Sequence, residues 1–122
     1  MLRRCHLFPV VLALLAPLAN AASDAEQGKA LYAGRCAACH SVDFNGAGPA
    51  HKGVFGRRVG TVAGFAFSPA LKAATVVWTA ENLDKWLADP EKFLPGQRMG
   101  VNVADATERA NLVAYLATLK AK

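Results

Sequence analysis

The chain has few of the side chains from which proteins build metal clusters or disulfide frameworks. Among its 122 residues are only three cysteines and three histidines. Outside the segment 36–40, this set is reduced to Cys5, His6 and His51. A zinc site that includes Cys36 and Cys39 would need two more thiol or imidazole ligands at suitable spacing. The sequence does not supply such a set, so a zinc site is not expected.

Other patterns are missing as well. No segment alternates apolar and polar residues as a strand does, which argues against a thioredoxin-like βαβ unit. The glycine-rich stretch 45–64 contains neither a P-loop nor a dinucleotide-binding spacing, so a phosphate-binding loop is not expected. No apolar run reaches the roughly 18 residues of a membrane span. The fold class predicted from these absences and from the helical patterns below is all-α.

The segment 36–40 reads C-A-A-C-H and carries the clearest chemical signal in the chain. C-x-x-C-H is the attachment sequence of c-type haem. The thiols of Cys36 and Cys39 can each add to a vinyl group of one porphyrin, and His40 can then bind the iron. A redox dithiol is the alternative for the two cysteines. The motif predicts one covalently bound haem c.

The first 21 residues read as an export signal. Two arginines precede an apolar run at 7–18, and A-N-A at 19–21 supplies a small-x-small cleavage site. An uncleaved anchor is the alternative. Cleavage would leave a domain of residues 22–122 in the periplasm, with no stable membrane insertion. Without the two leader arginines the formal net charge falls from +5 to +3, which is too mild a basicity to indicate nucleic-acid binding.

Helix signals recur along the rest of the chain. Ser23 and Glu26 form a capping-box pattern that predicts a helix through about Ala33, terminated by Gly34. The Ser-Pro pair at 68–69 predicts a short helix over 69–74.

The second half of the chain predicts two longer helices. Thr79 is expected to cap a helix over 80–88 that ends at the Asp-Pro pair 89–90. Asp105 and Glu108 are expected to open a final helix to about Lys120. The apolar residues expected to be buried are Leu83, Trp86 and Leu87 on the first of these helices, and Leu112, Tyr115, Leu116 and Leu119 on the last.

The second iron ligand is expected to be Met99. It is the only methionine after the leader, and it lies in the Pro/Gly-constrained loop 94–99. Its alternative role is to fill a gap in a small core. His51 is the competing ligand, but it follows His40 by eleven residues and is expected on the same side of the ring. We therefore expect His51 at the surface, or bonded to backbone or to a haem propionate.

With both ligands assigned, the chain resembles the class I cytochromes c of the mitochondrial and bacterial cytochrome c2 type. The resemblance runs from position 28 to the end in one consistent order. It rests on G-K-A-L-Y at 28–32, C-A-A-C-H at 36–40, G-P at 48–49, G-V-F-G-R at 53–57, G-F at 64–65, Trp78, D-P at 89–90, P-G-Q-R-M at 95–99 and L-V-A-Y-L at 112–116. It implies the small helical class I fold, with the first and last helices crossing.

The resemblance also implies roles for individual residues. The carbonyl of Pro49 would accept the second ring N–H of His40. Arg57 and Trp78 would lie near a buried haem propionate, and Trp86 would take the position of a tyrosine that contacts the methionine sulfur. Gly28 and Tyr32 of the first helix would meet Leu112 and Tyr115 of the last. Two departures stand out: Phe67 replaces a propionate-bonding tyrosine, and His51 replaces a leucine expected against the haem.

The expected function is that of a periplasmic, monomeric single-electron carrier and not of an enzyme. The iron would cycle between Fe(II) and Fe(III), exchanging electrons with a reductase and a terminal acceptor. Lys52, Lys92 and Arg98 could surround the uncovered haem edge and steer acidic partners. Two alternatives are a haem-containing subunit of a larger oxidoreductase, and an open-site haem sensor or enzyme.

Overall fold

The computed structural model describes residues 23–122. Five helices form there: α1 Ala25–Arg35, α2 Pro69–Ala73, α3 Ala80–Ala88, α4 Pro90–Phe93 and α5 Ala106–Thr118. Within 23–122 there is no strand, only one isolated bridge between Arg58 and Val77, so the all-α prediction is confirmed. No helix of this region is long and apolar enough to cross a membrane. The predicted leader, residues 1–21, lies outside the described residues.

The start and end of α1 correct the sequence prediction. Asp24, and not Ser23, is the N-cap, and its carboxylate accepts hydrogen bonds from the backbone N–H groups of Glu26 (2.8 Å) and Gln27 (3.1 Å). The negative carboxylate also interacts favourably with the positive end of the helix dipole, whereas the hydroxyl of Ser23 carries no charge. Gly34 does not terminate the helix, which continues to Arg35.

The other predicted caps are confirmed. Ser68, Thr79 and Asp105 each accept a hydrogen bond from the backbone N–H three positions on. The predicted lengths were slightly too long for α2 and for α5, which ends at Thr118. The helix α4 was not predicted. Asp89 ends α3, as expected, but its side chain also accepts from the backbone N–H of Lys92 at 3.1 Å and thereby caps α4.

The crossing of α1 and α5 is the main helix packing of the molecule. Gly28 lies so close to α5 that a Cβ at this position would overlap the backbone carbonyl of Asn111. Tyr32 and Tyr115 meet with ring centroids 5.2 Å apart, as the resemblance implied. The buried Asn111 accepts a hydrogen bond from the backbone N–H of Asp24 at 2.8 Å. The start of α1 is therefore tied to the middle of α5.

The long segment between α1 and α2 is held to the core by backbone hydrogen bonds. Val59 is 1% exposed and donates to the carbonyl of Val76 at 2.9 Å. Trp78 donates to the carbonyl of Arg57, also at 2.9 Å. The segment after position 99 is fixed in the same way, because Val103 donates to the carbonyl of Leu87 at 2.7 Å. These attachments leave a cavity between the loops and α3.

Candidate haem-binding site

The cavity has a volume of about 380 Å³ and an apolar lining. Every site residue expected from the sequence contributes to this lining: Cys36, Cys39, His40, Pro49, Arg57, Trp78, Trp86 and Met99. These residues come from the turn after α1, the long loop between α1 and α2, the segment between α2 and α3, α3 itself and the loop after α4. The fold thus brings together groups that are far apart in the sequence.

The attachment motif forms a tight turn directly after α1. The backbone N–H of Cys36 donates to the carbonyl of Tyr32 at 2.9 Å, and that of His40 donates to the carbonyl of Cys36 at 2.9 Å. Both cysteines are free thiols; Cys36 is half-buried and Cys39 is exposed. Burial raises the pKa of the Cys36 thiol. The turn presents both thiols and the imidazole to the same cavity.

The ring of His40 is held by the loop opposite it. Its Nδ1 lies 2.8 Å from the carbonyl oxygen of Pro49, so the hydrogen bond implied by the resemblance is present. The backbone of Gly48 packs so closely against this imidazole that a Cβ there would overlap the ring. Because a carbonyl oxygen can only accept a hydrogen bond, Nδ1 of His40 carries the proton. Nε2 is then the nitrogen with a free lone pair.

His51 is not the surface residue that was the first expectation. It is half-buried, and its ring stacks on that of His40 with centroids 4.1 Å apart and planes 19° apart. Its Nδ1 lies 2.9 Å from the hydroxyl oxygen of Tyr32, and not against backbone. Burial, followed by the proximity of His40 and of the Arg57 guanidinium, lowers the pKa of His51 to about 3. The ring is therefore neutral at ordinary pH, on the His40 side as expected.

Arg57 brings a positive charge to the cavity wall. Its guanidinium donates to the backbone carbonyls of Lys52 (2.9 Å) and Ala50 (3.2 Å). Burial lowers the pKa of Arg57. Trp78 is 8% exposed and packs edge-on against Trp86, with centroids 5.4 Å apart. The two indoles are in contact with each other and both line the cavity.

Arg109 anchors the segment that follows Met99, a role that the sequence analysis missed. Its guanidinium donates to the carbonyls of Val103 (3.0 Å) and Ala104 (2.8 Å) and to the carboxylate of Asp84 on α3 (2.7 Å). The Arg109 side chain is 14% exposed. The tie of Asn111 to α1 was missed as well. The only sequence signal for the Asn111 contact was a polar residue directly before Leu112. No sequence pattern paired Arg109 with Asp84.

The residues of the cavity fit a covalently bound haem. The donor set comprises one imidazole with an engaged second nitrogen, one thioether and two free thiols, which is the set that c-type haem requires. The guanidinium of Arg57 would offset the cost of burying a propionate carboxylate. Within residues 23–122, no three His, Cys, Asp or Glu side chains group into a metal-binding cluster. The fold and the site together define a small, helical c-type haem protein.

Comparison with known proteins gives the family. The cytochrome c family model matches residues 25–120, and the chain belongs to the cytochrome c family. It is 44% identical over 100 residues to cytochrome c of Euglena viridis, covering 80% of this chain and 98% of that protein. It is 41% identical over 114 residues to cytochrome c2 of Rhodopseudomonas palustris, covering 80% and 99%.

The solved structures agree with this assignment. Cytochrome cH from Methylobacterium extorquens superposes with a TM-score of 0.75 at 41% identity, covering 78% of this chain and 98% of the other. The class I cytochrome c fold and family are therefore confirmed. The family makes this chain a haem-based electron carrier that works with redox partner proteins.

Proposed function

We propose that this protein is a periplasmic monohaem carrier of single electrons, with His40 and Met99 as the axial ligands of the iron and thioether bonds from Cys36 and Cys39. One observation carries the proposal. The imidazole of His40, with Nδ1 engaged by Pro49, lines the same cavity as the thioether of Met99. No other methionine lies within residues 23–122.

Each ligand has a distinct task. When bound, haem supplies a one-electron couple between Fe(III) and Fe(II). His40 is held by the Pro49 carbonyl and by the Gly48 backbone, so its ring cannot turn freely between the two oxidation states. The thioether of Met99 favours the reduced iron and raises the potential. Arg109 holds the segment after Met99 to α3, which keeps the loop closed in both states.

Export and assembly state are part of the proposal. Export is supported by the charged, apolar and small-residue pattern of the leader 1–21. The protein recovered from the periplasm should begin at Ala22 by intact mass and should elute alone and as a monomer on gel filtration. Elution with other chains would favour the alternative, a subunit of a larger oxidoreductase.

The visible spectrum tests the proposed ligation. We expect the purified protein to be low-spin in both oxidation states, with the methionine-to-iron charge-transfer band in the oxidised form. Because His40 and Met99 would fill both axial positions, carbon monoxide should leave the reduced spectrum unchanged. A high-spin spectrum that shifts with carbon monoxide would instead support an open-site sensor or enzyme.

Electrostatic steering of partners gives a second test. Arg98 is exposed and lines the cavity, and Lys92 is exposed on α4, whereas Lys52 pairs with Asp43. If these charges steer an acidic redox partner, the second-order rate of electron exchange should fall as salt rises. Arg98→Gln should lower that rate about twofold at low salt, a small part of the roughly 10- to 1,000-fold that a whole charged surface can contribute.

Lys29→Gln is the matched control for Arg98→Gln, because it removes one charge on α1 away from the cavity. The control should keep the wild-type rate and salt slope with the same acidic partner. A flat salt dependence in the wild type, or an equal loss in both variants, would remove steering by Arg98 from the proposal.

A further inference from the structure

Three rings form a continuous contact from the helix crossing to the proposed iron ligand. Tyr32 is 6% exposed and packs edge-on against Tyr115 of α5. Its hydroxyl oxygen lies 2.9 Å from Nδ1 of His51. The His51 ring in turn stacks on His40, with centroids 4.1 Å apart. The orientation of His40 is thereby linked to the crossing of α1 and α5.

The contacts on His40 restrain different motions. The hydrogen bond to the Pro49 carbonyl fixes the position of Nδ1. That bond alone still lets the ring rock about the line from Nδ1 to the carbonyl, because one hydrogen bond defines one direction. The ring of His51 lies against the face of the His40 ring, with the two planes 19° apart, and therefore opposes this rotation. The stacked ring can do so only if its own orientation is fixed, which the Tyr32 hydroxyl achieves.

We propose that Tyr32 and His51 are positioning residues that set the ring plane of His40 and lower the reduction potential of the haem it would hold. The inference rests on the proposed His40–Met99 ligation and deepens it. Groups that orient a metal ligand tune both the geometry and the electronics of the metal.

The direction of the effect follows from polarisability. Oxidation adds positive charge to the iron and, through the bond, to its imidazole ligand. The aromatic ring of His51, stacked on that ligand, presents a polarisable face to the added charge. The leucine expected at position 51 from the resemblance has no such face. His51 should therefore stabilise the oxidised form relative to a leucine.

The test uses the haem-loaded full-length protein and three variants. His51→Leu removes the stacked ring, and Tyr32→Phe removes only the hydroxyl that holds it. Tyr115→Phe is the matched control, because it removes a hydroxyl from the ring that packs on Tyr32 without touching His51. The readouts are the reduction potential and the proton NMR shifts of the haem methyl groups in the oxidised protein, whose pattern reports the plane of the histidine ligand.

We expect His51→Leu to shift the equilibrium toward Fe(II) by at least about threefold, which is about 28 mV at roughly 59 mV per tenfold. Tyr32→Phe should shift it in the same direction by less, and both variants should redistribute the methyl shifts. Tyr115→Phe should leave both readouts at their wild-type values. That combination would support the inference.

Three results would overturn it, and they separate a failure of the positioning role from a failure of the ligation. If the wild type is low-spin with the charge-transfer band but the His51 and Tyr32 variants keep its potential and methyl shifts, the positioning role is wrong and the ligation stands. The same holds if Tyr115→Phe moves both readouts equally. If the wild type itself is high-spin, the ligation fails and the inference fails with it.

Discussion

Replacing Met99 by alanine is expected to abolish the charge-transfer band and to convert the iron to a form that binds carbon monoxide. Within residues 23–122 there is no other thioether to take its place. Loss of a thioether ligand removes the preference for reduced iron. The potential should fall by about 0.2 V, within the roughly 0.8 V over which axial ligands set haem potentials. Visible spectra with and without carbon monoxide, together with a redox titration, measure these changes.

Val101→Ala is the control for the Met99 variant, since it shortens an exposed apolar side chain in the same segment. It should retain the charge-transfer band and the wild-type potential. A Met99→Ala protein that stays low-spin with an unchanged potential would show that Met99 is not a ligand. The second ligand would then have to be a side chain other than His51, because His51 stacks on His40 and lies on the same side of the cavity.

Replacing Gly28 by alanine is expected to have the largest effect on stability. The new Cβ would overlap the Asn111 carbonyl and would lie 2.9 Å from the Cβ of Tyr115. A backbone carbonyl within a helix cannot move aside as a flexible side chain can, so α1 and α5 must separate. We expect a loss of about 3 kcal/mol, the upper end of the usual cost of overpacking. For a domain of this size, that corresponds to a melting temperature lower by roughly 12–24 °C.

The same helix offers a matched control. Gly34 also lies within α1, but a Cβ there would meet nothing within 4 Å. Gly34→Ala should therefore raise the free energy of unfolding by up to about 1 kcal/mol, because alanine is the better helix former. Thermal unfolding of the two haem-loaded variants, followed by circular dichroism, makes the comparison. Equal melting temperatures for Gly28→Ala and Gly34→Ala would contradict the close packing at Gly28.

Helix starts were predictable where one residue alone could act as the cap. Ser68, Thr79 and Asp105 are such residues, and each cap involves only the three residues that follow it. The start of α1 was predicted one residue too early because two capable caps, Ser23 and Asp24, are adjacent. The helix α4 was missed because Asp89 serves twice, at the end of α3 and at the start of α4.

The haem-attachment part of the candidate site was predictable for a similar reason, because its residues are close together in the sequence. Cys36, Cys39 and His40 are neighbours in the chain, so their chemistry can be read without a fold. Met99 was a candidate ligand because of its scarcity, since no other methionine lies within residues 23–122. The position of His51 was harder, because spacing put it on the His40 side but did not reveal the stack on His40 or the hydroxyl of Tyr32.

The sequence by itself determined the helix caps at Ser68, Thr79 and Asp105, the haem attachment motif and the family. The tertiary structure decided the contacts that hold the site together: Tyr32 with His51, Arg109 with Asp84, and Asn111 with Asp24. Each of these contacts joins residues on different elements. Whether two such side chains meet depends on how α1 and α5 cross and on the path of the loops between them. Helical periodicity and capping describe one element at a time, so they carry no information about those distances.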